Sequence, residues 1–155
     1  MKVVSAMCMC VLLAGCAPAT RSFVAHTPPG KAEVVKIITD AAHRNNVPPT
    51  LALAVARQES GFKTHVVSYQ GAVGLMQVLP DTARAIGCAR TRAELFDAYT
   101  AADCGTRYLR MGLDAAGSYH GAAAFYHGGP NLAYHGRKTA QYAAIVSRAA
   151  HEMEQ

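Results

Sequence analysis

Arg57-Gln58-Glu59-Ser60-Gly61-Phe62, followed after eight residues by Gly71-Ala72-Val73-Gly74-Leu75-Met76-Gln77-Val78-Leu79-Pro80, is the stretch on which the reading of this chain turns. Upstream, Leu51, Ala52, Leu53, Ala54, Val55 and Ala56 leave almost no polar face, so the segment that ends at Glu59 should be buried. A glutamate in that place is unusual, because Glu is rarely buried without a partner. Its carboxyl loses hydration, which raises its pKa and lets it keep a proton near neutral pH. A general acid needs that property.

Working outward, Val34, Ile37, Ile38, Ala41 and Ala42 follow the spacing i, i+3, i+4, i+7, i+8, which predicts an amphipathic helix over residues 31–45. Asn45-Asn46 and Pro48-Pro49 break it, and Pro49 suits the first turn of a second helix running to Glu59. Residues 65–78, rich in glycine and carrying Val66, Val67 and Val73, read as a loop with short extended pieces. Pro80 opens a short helix that Gly87 ends. Thr91-Arg92-Ala93-Glu94 has the form of a capping box, and Thr100-Ala101-Ala102-Asp103 reads as a comparable cap. Helical stretches near 122–126 and 139–152 complete a mainly α domain with a small β or irregular element.

The ordered motifs resemble the lytic transglycosylases with a goose-lysozyme-like catalytic domain. The matches are Glu59-Ser60, Gly74-Leu75-Met76-Gln77, Pro80 with Thr82-Ala83, Gly105-Thr106-Arg107-Tyr108-Leu109, Phe125-Tyr126-His127 with Gly129-Pro130, and Gln141-Tyr142 with Val146. They run from about residue 32 to about residue 147. The resemblance implies a lysozyme-like helical fold with a cleft beside the irregular element. It also implies cleavage of peptidoglycan glycan strands between N-acetylmuramic acid and N-acetylglucosamine, with no cofactor.

Glycoside cleavage usually uses two carboxyl groups. Between Arg57 and Ala93 only Glu59 and Asp81 are available, and Asp81 sits in a first helical turn, where it complements the helix dipole. Asp97, Asp103 and Asp114 lie in no catalytic motif. One carboxyl requires another source of stabilisation, and the resemblance supplies the substrate's own N-acetyl group. Glu59 would act first as acid, then as base toward the sugar's 6-hydroxyl, closing a 1,6-anhydro ring without consuming water.

Around that acid, Ser60 either orients Glu59 or substrate, or caps the helix end. Gln77 is expected on N-acetyl or peptide groups, and Met76 either against the sugar or in the core. Gly71 and Gly74 serve backbone geometry or close approach of substrate. Tyr126 and Tyr142 match tyrosines that line the family's cleft; the alternative is a buried tyrosine with a satisfied hydroxyl. Two positions depart from the family pattern. His127 stands where an asparagine is usual, and Ala101 stands where the helix before Gly105 commonly starts with one.

The first residues point to export. Lys2 and an apolar run to Leu13 make a signal of roughly 13 residues, short of the ~20 a permanent span needs. Leu13-Ala14-Gly15-Cys16 resembles a lipobox, so residues 1–15 are expected to be removed and Cys16 lipidated. The alternative is an ordinary cut near Ala17 or Ala19. Residues 16–30, with Pro18, Pro28 and Pro29, read as a tether to the domain at 31–155. A periplasmic protein anchored by lipid to the outer membrane is the expectation.

Of five cysteines, Cys8 and Cys10 leave with the signal and Cys16 takes the lipid, so Cys88 and Cys104 remain as an expected disulfide. No Cys-x-x-Cys or His-x-x-x-His pair suggests a metal. The net charge of +5 is spread along the chain, which suits an anionic wall better than nucleic acid. A single small domain also resembles members that open the wall for secretion or conjugation machines. A muramidase that admits water to the same glutamate, and a wall-binding protein that has lost turnover, are the competing readings.

Overall fold

A computed structural model of the chain describes residues 28–155 apart from Leu132 and Tyr134. The expected signal at 1–15, Cys16 and most of the tether lie outside the described residues. Six α-helices follow in order: α1 Lys31–Arg44, α2 Pro49–Ser60, α3 Pro80–Ala85, α4 Ala98–Ala116, α5 Tyr119–Gly128 and α6 Arg137–Glu152. A 3-10 turn, Ala93–Phe96, precedes α4.

The apolar spacing of α1 does what it predicts. Val34, Ile37, Ile38, Ala41 and Ala42 are all buried, and that stripe packs against α4 and α2. Pro49 stands at the first position of α2, and Gly61 ends the helix in the left-handed region, with its N–H bonded to the Arg57 carbonyl. Leu51, Ala52, Ala54, Val55 and Ala56 bury the face of α2 expected from its composition. Each large side chain removed from water in this core, such as Ile38, Leu51 or Leu109, stabilises the fold by about 1.5–3 kcal/mol.

At the centre, α4 is long and lined with small residues, which lets its neighbours approach closely. Gly112 meets Ala122 and Phe125 of α5, and Gly105 lies directly under the Met76 side chain. The expected cap at Thr100 is displaced by three residues. Asp97 caps α4, its carboxylate accepting from both the backbone N–H and the hydroxyl of Thr100. Aspartate wins because it precedes the first helical residue and can reach the third one. The capping box at Thr91 and Glu94 forms, with Glu94 also accepting from the N–H of Arg90, but it opens only the 3-10 turn.

Residues 61–79 form the irregular element. Two isolated antiparallel bridges, Val67 with Val73 and Val73 with Val78, are its extended pieces. Cys88 and Cys104 form the expected disulfide, tying the segment after α3 to the interior of α4. A loop of this size is worth about 3 kcal/mol in the chain-entropy account. The last two helices close the domain: α5 packs on α4 and α6, and α6 returns to pack on α2. That return carries residues from the C-terminal helix to the end of α2, where Glu59 sits.

Candidate active site

Glu59 lies in the last turn of α2, at the wall of a cleft of about 720 Å³ between the helices and the irregular element. Burial pushes its carboxyl above the usual glutamate range, and a hydrogen bond from Tyr142 partly opposes that rise. The Tyr142 hydroxyl, delivered by α6, donates to Glu59 Oε1 at 2.6 Å. Burial and the neighbouring carboxyl hold that phenol far above its ordinary range, so it stays a donor. Tyr126, buried on α5 at the cleft wall, donates to the Met76 carbonyl at 2.7 Å and fastens the irregular element to the helices.

His127, exposed at the end of α5, packs against Tyr142. Its ring lies 4.6 Å from that of Tyr142, and its Nδ1 is 3.1 Å from the Thr139 hydroxyl. Partial burial, aided by nearby His135, lowers its pKa and favours the neutral ring. A neutral imidazole has one donor and one acceptor nitrogen. With Nδ1 engaged by Thr139, Nε2 is left for a ligand in the cleft.

The remaining expected contacts divide. Gln77 lines the cleft, but its amide nitrogen donates to the carbonyls of Val66 and Gly74, so it offers a ligand its amide oxygen. Ser60, Gly74 and Met76 are not in the cleft wall. Ser60 is buried, with its hydroxyl donating to the Leu75 carbonyl at 2.6 Å; it pins the end of α2 to the irregular element and makes no bond to Glu59. Gly74 is buried with φ +77, its Cα facing the Leu95 carbonyl. Met76 is fully buried against Gly105, which takes its side chain into the core and away from any sugar. Tyr142 stands behind Glu59 as its hydrogen-bond partner, and Tyr126 and His127 do line the cavity.

Several lining residues were not expected: Ser68, Gln70, Thr82, Tyr108 and Lys138. Tyr108 had a signal, since it is the tyrosine of the Gly-x-x-Tyr-Leu segment, and its ring packs against Tyr126 with centroids 5.4 Å apart. The others lie on turns and helix ends whose facing depends on the packed fold.

Glu59 is the one carboxyl among the cleft's lining residues. The four aspartates weighed from the sequence are engaged elsewhere. Asp81 pairs with Arg84 on α3, Asp97 caps α4, Asp103 pairs with Arg107 at 2.8 Å, and Asp114 pairs with Arg110. Among the described residues no group of three or more His, Cys, Asp or Glu is placed to hold a metal, and no helix is long and apolar enough to cross a membrane.

The Tyr142 contact has a measurable signature. A hydrogen bond donated to a carboxylate favours the ionised form. Tyr142→Phe removes it, so the Glu59 pKa rises further above its ordinary 4.5. If Glu59 must be protonated for turnover, the alkaline limb of the kcat/KM profile moves to higher pH in the variant. A limb that stays in place, or moves to lower pH, contradicts the contact.

A mainly helical domain whose cleft holds one shielded carboxyl, backed by a tyrosine from the last helix, is of the lysozyme-like class. The chain belongs to the transglycosylase SLT domain family, whose model matches residues 36–145. It is 34% identical over 108 residues to the transglycosylase of Enterobacteria phage PRD1, an alignment covering 70% of this chain and 39% of the phage protein. It is 35% identical over 86 residues to membrane-bound lytic murein transglycosylase C of Actinobacillus pleuropneumoniae, covering 51% of this chain and 24% of that one. The chain therefore spans well under half the length of either relative. In structure it is similar to the 70 kDa soluble lytic transglycosylase of Escherichia coli, with a TM-score of 0.65 at 23% identity, over 77% of this chain and 24% of that one. That likeness establishes the fold.

Proposed function

We propose that this protein is a peptidoglycan lytic transglycosylase in which Glu59 is the sole catalytic carboxyl. The observation that carries the reading is the cleft's inventory: one carboxyl, raised in pKa by burial, with no second carboxyl among the described lining residues. A hydrolase of the common kind needs a partner carboxylate about 5–9.5 Å away as nucleophile or base. A lyase that recycles one group does not.

Glu59 donates its proton to the glycosidic oxygen as the bond to C1 of N-acetylmuramic acid breaks. The electron pair of that bond leaves with the N-acetylglucosamine oxygen, which becomes a hydroxyl. The adjacent N-acetyl carbonyl stabilises the positive centre at C1. Glu59, now a carboxylate held by Tyr142, takes the proton of the 6-hydroxyl as that oxygen attacks C1. The product is a 1,6-anhydro ring, the acid is regenerated, and no water enters the balance. Gln77, Tyr126 and His127 shape the binding wall, while Ser60, Gly74 and Met76 keep the irregular element at the distance the cleft requires. The signal pattern and the lipobox-like Leu13-Ala14-Gly15-Cys16 support a reading in which the domain works in the periplasm, tethered by lipid to the outer membrane.

Mass spectrometry of the muropeptides released from purified sacculi tests the proposal. Anhydro-muramyl ends are expected. Reducing ends mean a muramidase that admits water. Binding to sacculi without release of any product means a wall-binding protein.

A further inference from the structure

The cleft wall carries one cation. Lys138 is the one lysine or arginine among the described residues that line the cleft. No carboxylate among the described residues pairs with it. Its position also runs against helix electrostatics. Lys138 lies beside Arg137 in the first turn of α6, a turn with no acid and with no side-chain cap from Gly136. A helix N-terminus carries partial positive charge, so two cations there are locally unfavourable. The same turns of α6 support the site: Tyr142, four residues after Lys138, holds Glu59, and the neighbouring Thr139 engages His127.

We infer that Lys138 is a specificity-determining residue that binds a carboxylate carried by the substrate in the cleft. The inference deepens the reading of the cleft as a peptidoglycan site and rests on it. N-acetylglucosamine is neutral, whereas N-acetylmuramic acid bears a lactyl carboxyl. In a denuded strand that carboxyl is free. In a peptide-bearing strand it is an amide, and the stem peptide supplies carboxylates instead. Either source offers an ammonium group the same charge-assisted contact.

The test measures binding by calorimetry to the full chain carrying Glu59→Gln, so that turnover does not intrude. The ligands are peptide-bearing glycan oligomers, denuded muramyl oligomers with free lactyl carboxylates, and neutral chito-oligosaccharide. Adding Lys138→Ala is expected to weaken at least one carboxylated ligand about tenfold while changing the neutral one by less than about twofold. Lys138→Arg recovers most of the loss, and raised salt narrows the gap. Loss confined to the peptide-bearing strand identifies the stem as the source, and loss confined to the denuded strand identifies the lactyl group. An equal loss on the neutral ligand overturns the inference in favour of a structural role. Undiminished binding of all three overturns Lys138 alone. No binding of any ligand to the parent protein overturns the proposed function together with the inference.

Discussion

Glu59→Gln lowers the rate of glycan cleavage by about a hundredfold to ten-thousandfold, the range that loss of a positioned general acid commands. Glutamine keeps the shape and accepts the hydrogen bond of Tyr142, but it has no proton to give and cannot become a base. The initial rate of anhydromuropeptide release reads the effect, and a variant that keeps more than a tenth of the activity would remove Glu59 from the chemistry. The same substitution reports on burial through stability. The wild-type carboxyl has an ordinary pKa of 4.5 when unfolded and a raised one when folded. The folded state therefore binds its proton more tightly. As pH rises from 4.5 through the raised value, the unfolded chain sheds that proton first and wild-type stability declines. Glutamine has no such decline. Glu59→Gln accordingly melts higher than wild type at pH 8, and the gap closes toward pH 4. Equal melting temperatures at pH 8 would mean that the carboxyl is not desolvated.

The second large effect is on the fold. Gly74→Ala places a Cβ onto the carbonyl oxygen of Leu95, with the carbonyl carbon at 3.2 Å, while forcing alanine to φ +77. The obstacle is backbone, and Leu95 is itself fully buried, so neither side yields cheaply. Positive φ in a residue with a side chain costs about 1–3 kcal/mol, and overpacking a tight core adds about 1–3 kcal/mol. Gly71→Ala separates the two contributions: its φ is +84, but a Cβ there meets nothing within 4 Å. Urea unfolding should show Gly74→Ala losing clearly more stability than Gly71→Ala. Similar losses would leave φ as the whole explanation and dismiss the collision. Because the Gly74 carbonyl also receives the Gln77 amide, the damaged loop should weaken substrate binding as well.

How much of this was legible before folding differs from residue to residue. The burial of α1 and α2 follows from spacing and composition alone, because a helix with one apolar stripe has one way to meet a core. Glu59 was legible for the same reason, as an acid at the end of an apolar helix, and so was the pairing of Cys88 with Cys104. The pattern alone points to Thr100 as the cap of α4, whereas the helix is capped by Asp97: both have capping side chains, and the choice depends on where the helix begins. Ser60, Gly74 and Met76 belong to the right motifs, yet they face inward.

The chain's local pattern thus determines that there is a mainly helical domain and that a glutamate, Glu59, ends its apolar second helix, since periodicity, proline and glycine act over a few residues. The packed fold settles what surrounds that acid. Tyr142 lies 83 positions from Glu59, and Tyr126 lies 50 from Met76. Those hydrogen bonds, and the charge that Lys138 brings to the cleft wall, exist because α6 folds back onto α2 and α5. Direction of a side chain is a property of the element it packs against, and that element lies elsewhere in the chain.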